Sequence, residues 1–97
     1  DTDIVNVAAH FTEYLVFGGL LVLAARRTWP ALGWGKLALV AIALASLYAV
    51  TDEFHQSFVP GRVCDPADWL TDTLGAALGA SAAVLALEKM LAKRQMG

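Results

Sequence analysis

Residues 36–50 read KLALVAIALASLYAV. From Leu37 to Ala45 every residue is apolar, so a helix here shows no polar face to water. A helix of a soluble bundle carries a polar stripe opposite its buried one. Extended over about 33–51, the segment meets the length a bilayer demands, roughly 20 mostly apolar residues. This stretch sets the class for the chain: all-α, a polytopic transmembrane bundle. The composition agrees, with 58% hydrophobic and 16% charged residues against about 25% charged in ordinary soluble domains. Mean hydropathy is +0.57. At 97 residues the sequence is one domain, and a soluble domain this small would struggle to bury so much apolar surface.

Two further spans flank the first. One covers about 5–25 and holds His10 and Glu13 near its beginning; the other covers about 67–87, opening after Pro66, a residue suited to a helix start. The basic residues are distributed unevenly. Arg26, Arg27 and Lys36 flank the first connection, Lys89, Lys93 and Arg94 follow the last span, and Arg62 alone falls at the opposite end. The positive-inside rule therefore predicts a cytoplasmic segment 26–36 and C-terminus, with the connection 52–68 outside a bacterial inner membrane. Trp29 and Trp34 then mark the inner interface and Trp69 the outer one. Three spans ending in the cytoplasm place Asp1 outside, which leads us to expect an earlier N-terminal span preceding this sequence.

Beyond the second span comes DEFHQSFVPGRVCDPADW, residues 52–69, followed by LTDTLGAALGASAAVLAL, residues 70–87. Five of the nine carboxylates fall between Asp52 and Asp72. On the third helix Asp68, Asp72, Gly75 and Gly79 recur at steps of four, three and four, which puts them on one face. Gly75 and Gly79 let another helix approach closely, so this face, continued by Ala82, Ala83 and Ala86, is predicted to pack. Asn6, His10, Tyr14 and Phe17 form a stripe on the first helix with Glu13 at its edge. Tyr48, Asp52 and His55 align on the second if helix continues to about Gln56, where Pro60-Gly61 then turns the chain. The three polar stripes reach the same end and can converge. Glu13 lies about two turns into its span, where an ionisable group is costly and usually paired.

These identities and spacings resemble a known signature. Asp52-Glu53, Gln56, Phe58, Pro60-Gly61-Arg62, Asp68 and Gly75-x-x-x-Gly79 resemble the signature of the VanZ-like family of bacterial membrane proteins, and HFTEYLVFGGLL from His10 resembles its other characteristic segment. The resemblance implies a small four-span protein with its polar signature between the last two spans. It implies a link to the cell envelope, since the family's namesake is associated with resistance to the glycopeptide teicoplanin. Asp72 departs from the family's usual asparagine, and Asn6-Val7 from its frequent aspartate and lysine.

Two functions from different classes follow. In the first, the cluster binds or acts on an envelope lipid or cell-wall precursor. Arg62 would clamp a phosphate or carboxylate, and Glu53, Glu13 or Asp68 would act as general base, with His10, Tyr14, Asp52, His55, Gln56 and Asp72 lining the site. A metal-binding variant would use His10 and Glu13 with His55 and Asp52, but no tight HExxH-like motif supports it, and no metal or other cofactor is assigned. In the second, the chain is a non-catalytic accessory subunit or assembly factor of a larger membrane protein, and the charges lock helix ends together. Transport is disfavoured because the second span has no ionisable residue at mid-membrane depth. A net charge of -2 without a basic stripe gives no reason to expect nucleic acid. The lone Cys64 excludes an internal disulfide, and the neighbouring Asp65 disfavours a reactive thiolate.

Overall fold

The structure, a computed structural model, describes residues 2–58, 60 and 66–96. It is all-helical among the described residues: α1 spans Thr2–Thr28, α2 Trp34–Gln56 and α3 Pro66–Met96. Each helix outlasts the apolar stretch that announced it. α2 continues to Gln56 and α3 begins at Pro66, as the sequence led us to expect. All three are long and apolar enough to cross a membrane, over Ile4–Thr28, Trp34–Gln56 and Ala67–Arg94.

The ends and hydroxyls show how the backbone and side-chain polar groups are satisfied. Arg26 and Arg27 occupy the last turn of α1, where cations complement the helix dipole. Arg26 Nη1 also donates to the Pro30 carbonyl at 2.9 Å and lies 4.7 Å from the centroid of the Trp34 ring. The connection closes quickly, with Gly33 in an extended conformation accepting from the Leu37 N–H at 3.0 Å. At the far end of α2 the Ser57 N–H reaches the Glu53 carbonyl at 3.1 Å. Thr12, Thr28, Thr51 and Thr71 each return their hydroxyl to the carbonyl four residues earlier. A helix in lipid needs such internal bonds because hydrocarbon offers no partner.

Packing is set by small residues. A Cβ on Gly18 would overlap the Ala76 backbone, and one on Gly79 would overlap the Leu15 backbone. One on Gly75 would stand 2.7 Å from the Phe11 carbonyl oxygen. Phe11 against Gly75, Leu15 against Gly79 and Gly19 against Ala83 advance in step, so α1 and α3 run parallel in the most extensive contact of the bundle. α2 returns antiparallel to both. Its buried line is Leu37, Ala41, Ala45, Ala49 and Glu53, at uniform steps of four. Tyr14, Ala45, Ala49 and Ala76 form one core cluster, and Val22, Ala41, Ala80 and Val84 form another.

The sequence reading needs adjusting on α3, and two of the tryptophans it assigned to the interface also pack between helices. The buried face of α3 runs through Asp72, Gly75, Ala76, Gly79, Ala80 and Val84, whereas Ala82 and Ala86 are exposed. The helix turns by about 100° per residue, so a face extrapolated for four turns drifts from a straight line. Trp69 packs inward on the first core cluster, and its indole N–H donates to the Ser46 carbonyl at 3.2 Å. Trp34 likewise packs on the second cluster. The tryptophans expected at the membrane interface are thus partly used to join helices; Trp29 stays exposed.

Candidate functional site

The carboxylates gather at the end of the bundle where α1 and α3 begin and α2 finishes. Asp72 enters because the glycine face of α3 carries it against α1, and it is only 1% exposed. Glu53 enters by extending the alanine line of α2 by one more turn, and it is 6% exposed. By helical rise Asp72 lies about 9 Å below the start of α3 and His10 about 12 Å below the start of α1. The His10 Nδ1 stands 3.5 Å from Asp72 Oδ1. That separation permits an ion pair if the imidazole is protonated, but it is too long for a good hydrogen bond. Glu53, Asp52 and Asp68 are within electrostatic reach of the same carboxyl group.

Four buried polar atoms here have no hydrogen-bond partner: His10 Nδ1, Tyr14 Oη, Glu53 Oε2 and Asp72 Oδ1. Buried polar groups are ordinarily satisfied, and leaving one bare costs about 1–3 kcal/mol in protein mutational data. His10 Nδ1 and Asp72 Oδ1 face each other at ion-pair distance, so Tyr14 Oη and Glu53 Oε2 are the two that face no polar partner among the described residues.

Beside them an open cleft of about 430 Å³ lies between α1 and α2, lined by Glu13, Tyr14, Phe17, Tyr48 and Asp52. Its aromatic wall is ordered: the Tyr14 and Phe17 rings meet edge to face at 5.8 Å, and Phe17 and Tyr48 at 5.3 Å. Glu13, two turns into its span, is exposed and lines this cleft.

The structure therefore brings together His10, Tyr14, Glu53 and Asp72, with Glu13 and Asp52 along the adjoining cleft. It leaves others outside. Asp68 is exposed in the first turn of α3, where it complements the helix dipole instead of packing on α1. His55 is exposed, with its ring near Phe54, and Gln56 is half-buried at the end of α2. Arg62, Cys64 and Asp65, with Gly61 of the expected turn, lie outside the described residues. The four suggested metal ligands do not converge as a set: Glu13 and Asp52 share the cleft, but His10 turns to Asp72 and His55 outward. Among the described residues no three His, Cys, Asp or Glu side chains form a group able to hold a metal ion. The sequence reading named Phe17 and Tyr48 on separate stripes without pairing them as a wall, and it passed over Gly18. Gly18 was legible as one more small residue four before Val22 and four after Tyr14, all three of them buried.

Three apolar helices around a buried acidic cluster define a polytopic helical membrane protein. The particular family follows from comparison: a family model described as VanZ/LLP1 matches residues 2–87, and the chain belongs to that family. Neither a curated protein nor a solved structure matches it.

Proposed function

We propose that this protein binds the polar headgroup of an envelope lipid or lipid-linked cell-wall precursor at its carboxylate-rich end. The observation that carries the reading is a cluster of buried polar atoms on His10, Tyr14, Glu53 and Asp72, none of which makes a hydrogen bond, beside an open cleft. In hydrocarbon such atoms cost several kcal/mol each unless something meets them, and a headgroup descending along the cleft supplies partners at the right depth. The grouping of Arg26, Arg27, Lys36, Lys89, Lys93 and Arg94 at the opposite end of the antiparallel bundle supports an outward-facing site in a bacterial inner membrane. Purification in mild detergent followed by mass spectrometry of bound lipids tests the reading. The wild-type chain is expected to retain a polar lipid that the Glu53→Gln/Asp72→Asn double variant releases. Equal lipid profiles in both would overturn it.

A second reading, an accessory subunit of a larger membrane protein, is favoured by a different feature. An apolar groove of about 360 Å³ between α1 and α3 is floored by Gly19, Gly79 and Ala83 and flanked by Ala82 and Ala86. Small residues of this kind admit a partner helix. Cross-linking from Ala86→Cys that captures one defined membrane protein, independently of Glu53 and Asp72, would support it.

A further inference from the structure

We infer that the group this site recognises is a protonated primary amine carried on a membrane lipid headgroup; the inference rests on the headgroup reading above and narrows it. The walls of the cleft have two chemistries. Tyr14, Phe17 and Tyr48 supply aromatic rings, and Glu13 and Asp52 supply carboxylates. A cation within about 6 Å of a ring centroid is attracted by the ring quadrupole, most strongly where water is excluded. The protein already uses this contact at its other end, where the Arg26 guanidinium carbon stands 4.7 Å from the Trp34 ring centroid. Carboxylates beside such rings add charge-assisted hydrogen bonds, which are roughly twice as strong as neutral ones.

The charges that line the cleft itself favour a cation. Every described Lys and Arg lies at the opposite end of the bundle, Arg62 of the connection at this end lying outside the described residues, and His10 and His55 are the described basic side chains on this half. His10 already faces Asp72, and His55 is exposed on α2. A phosphate or carboxylate placed in the cleft would meet Glu13 and Asp52 directly, with Glu53 and Asp72 buried behind them. An ammonium meets the same groups as partners.

Hydrogen-bonding capacity then selects the kind of ammonium. Tyr14 is 5% exposed, lines the cleft and has an unpartnered hydroxyl oxygen. The two cleft carboxylates offer acceptors, with the Tyr14 hydroxyl buried behind the wall, and a primary ammonium presents three N–H donors whereas a quaternary one presents none. The wall of Phe17 and the lateral opening between two membrane helices favour an amine that arrives on a lipid, its hydrocarbon chain alongside the apolar exterior of α1 and α2.

The test uses the full chain in nanodiscs of phosphatidylcholine, whose quaternary nitrogen has no N–H, doped with one second lipid at a time. Native mass spectrometry reads the retained lipid. Phosphatidylethanolamine is expected to be retained about tenfold more than N-acetyl-phosphatidylethanolamine or phosphatidylglycerol, the scale of one charge-assisted hydrogen bond. Asp52→Asn and the exposed Glu13→Gln should each lower that retention about tenfold, and Tyr48→Leu several-fold, with unfolding curves showing that each variant folds. Free ethanolamine should compete only weakly. If it competed as well as the lipid, the lipid part of the inference would be wrong. Site-dependent retention of the N-acetylated lipid or phosphatidylglycerol at the level of phosphatidylethanolamine would overturn the amine while leaving the headgroup reading intact. No site-dependent retention of any lipid would sink both.

Discussion

The two faces of α1 meet their neighbours in opposite ways. Toward α3 the contact is a glycine seam in which Gly18, Gly75 and Gly79 let backbones touch with no room for a methyl group. Toward α2, at the same end of the bundle, the contact opens into a cleft walled by Tyr14, Phe17, Tyr48, Glu13 and Asp52. The seam is made of residues with nothing to bond, and the cleft of residues with bonds unmade. A structural element and a binding element are therefore separated by less than one turn of α1, between Phe17 and Gly18. The seam should fail by unfolding and the cleft by losing ligand.

The sharpest way to break that division is to load the seam. Gly79→Val sets a branched side chain against the Leu15 backbone, which cannot rotate away as a side chain would. Overpacking commonly costs 1–3 kcal/mol and more where backbones must separate, so a loss of about 3 kcal/mol or more is expected in denaturant unfolding followed by circular dichroism. Gly19→Ala is the matched control, because its Cβ would meet nothing nearer than 3.6 Å. It should fold at least as well as the parent, given alanine's better helix propensity. If Gly79→Val folded normally, the seam would not be the scaffold of the bundle.

The cleft side makes the reverse prediction. Glu53→Gln and Asp72→Asn remove carboxylates that are buried without hydrogen bonds. A buried charge without hydrogen bonds costs free energy that a neutral amide avoids in part, so Glu53→Gln should match or exceed parental stability by about 1–2 kcal/mol at most, and Asp72→Asn, which also gives up the facing His10, should gain less. The same variants should release bound lipid. A loss of several kcal/mol in either would mean instead that these acids lock helix ends together.

The contrast between seam and cleft explains what could be read without coordinates. The spans were legible because the bilayer imposes length and apolarity, which act residue by residue along 36–50. The glycine face was legible because Asp72, Gly75 and Gly79 differ from their neighbours in size at helical spacing. The buried face of α2 was harder. In a helix apolar all round, hydrophobicity carries no phase, and the sequence reading followed the stripe of Tyr48, Asp52 and His55, whereas the small residues Ala41, Ala45 and Ala49 carry the buried line to Glu53. The split between Asp68 and Asp72 was not legible, because one turn of α3 carries the chain from the open bundle end to the packed interior and both positions share a face. The meeting of Phe17 with Tyr48 depends on how far α2 is held from α1, a tertiary distance that no local pattern encodes.

That distance is itself open to test through the attachment of α2 to α3. Ser46 takes two bonds from α3: the Trp69 indole donates to its carbonyl at 3.2 Å, and the Thr73 hydroxyl lies 3.2 Å from its own hydroxyl. Hydrogen bonds between membrane helices are worth about 0.6 kcal/mol on average and at most about 1.7. Trp69→Phe, which keeps a ring on the Ala45–Ala49 cluster but removes the donor, should therefore cost about 1 kcal/mol. A loss that small leaves the bundle folded while loosening the helix that carries Tyr48 and Asp52. Lipid retention should then fall by a few-fold although no cleft residue has changed, whereas a seam substitution as mild as Gly19→Ala should leave retention untouched. Equal effects from the two would show that the cleft and the seam respond as one body, and that their separation on α1 is only one of position.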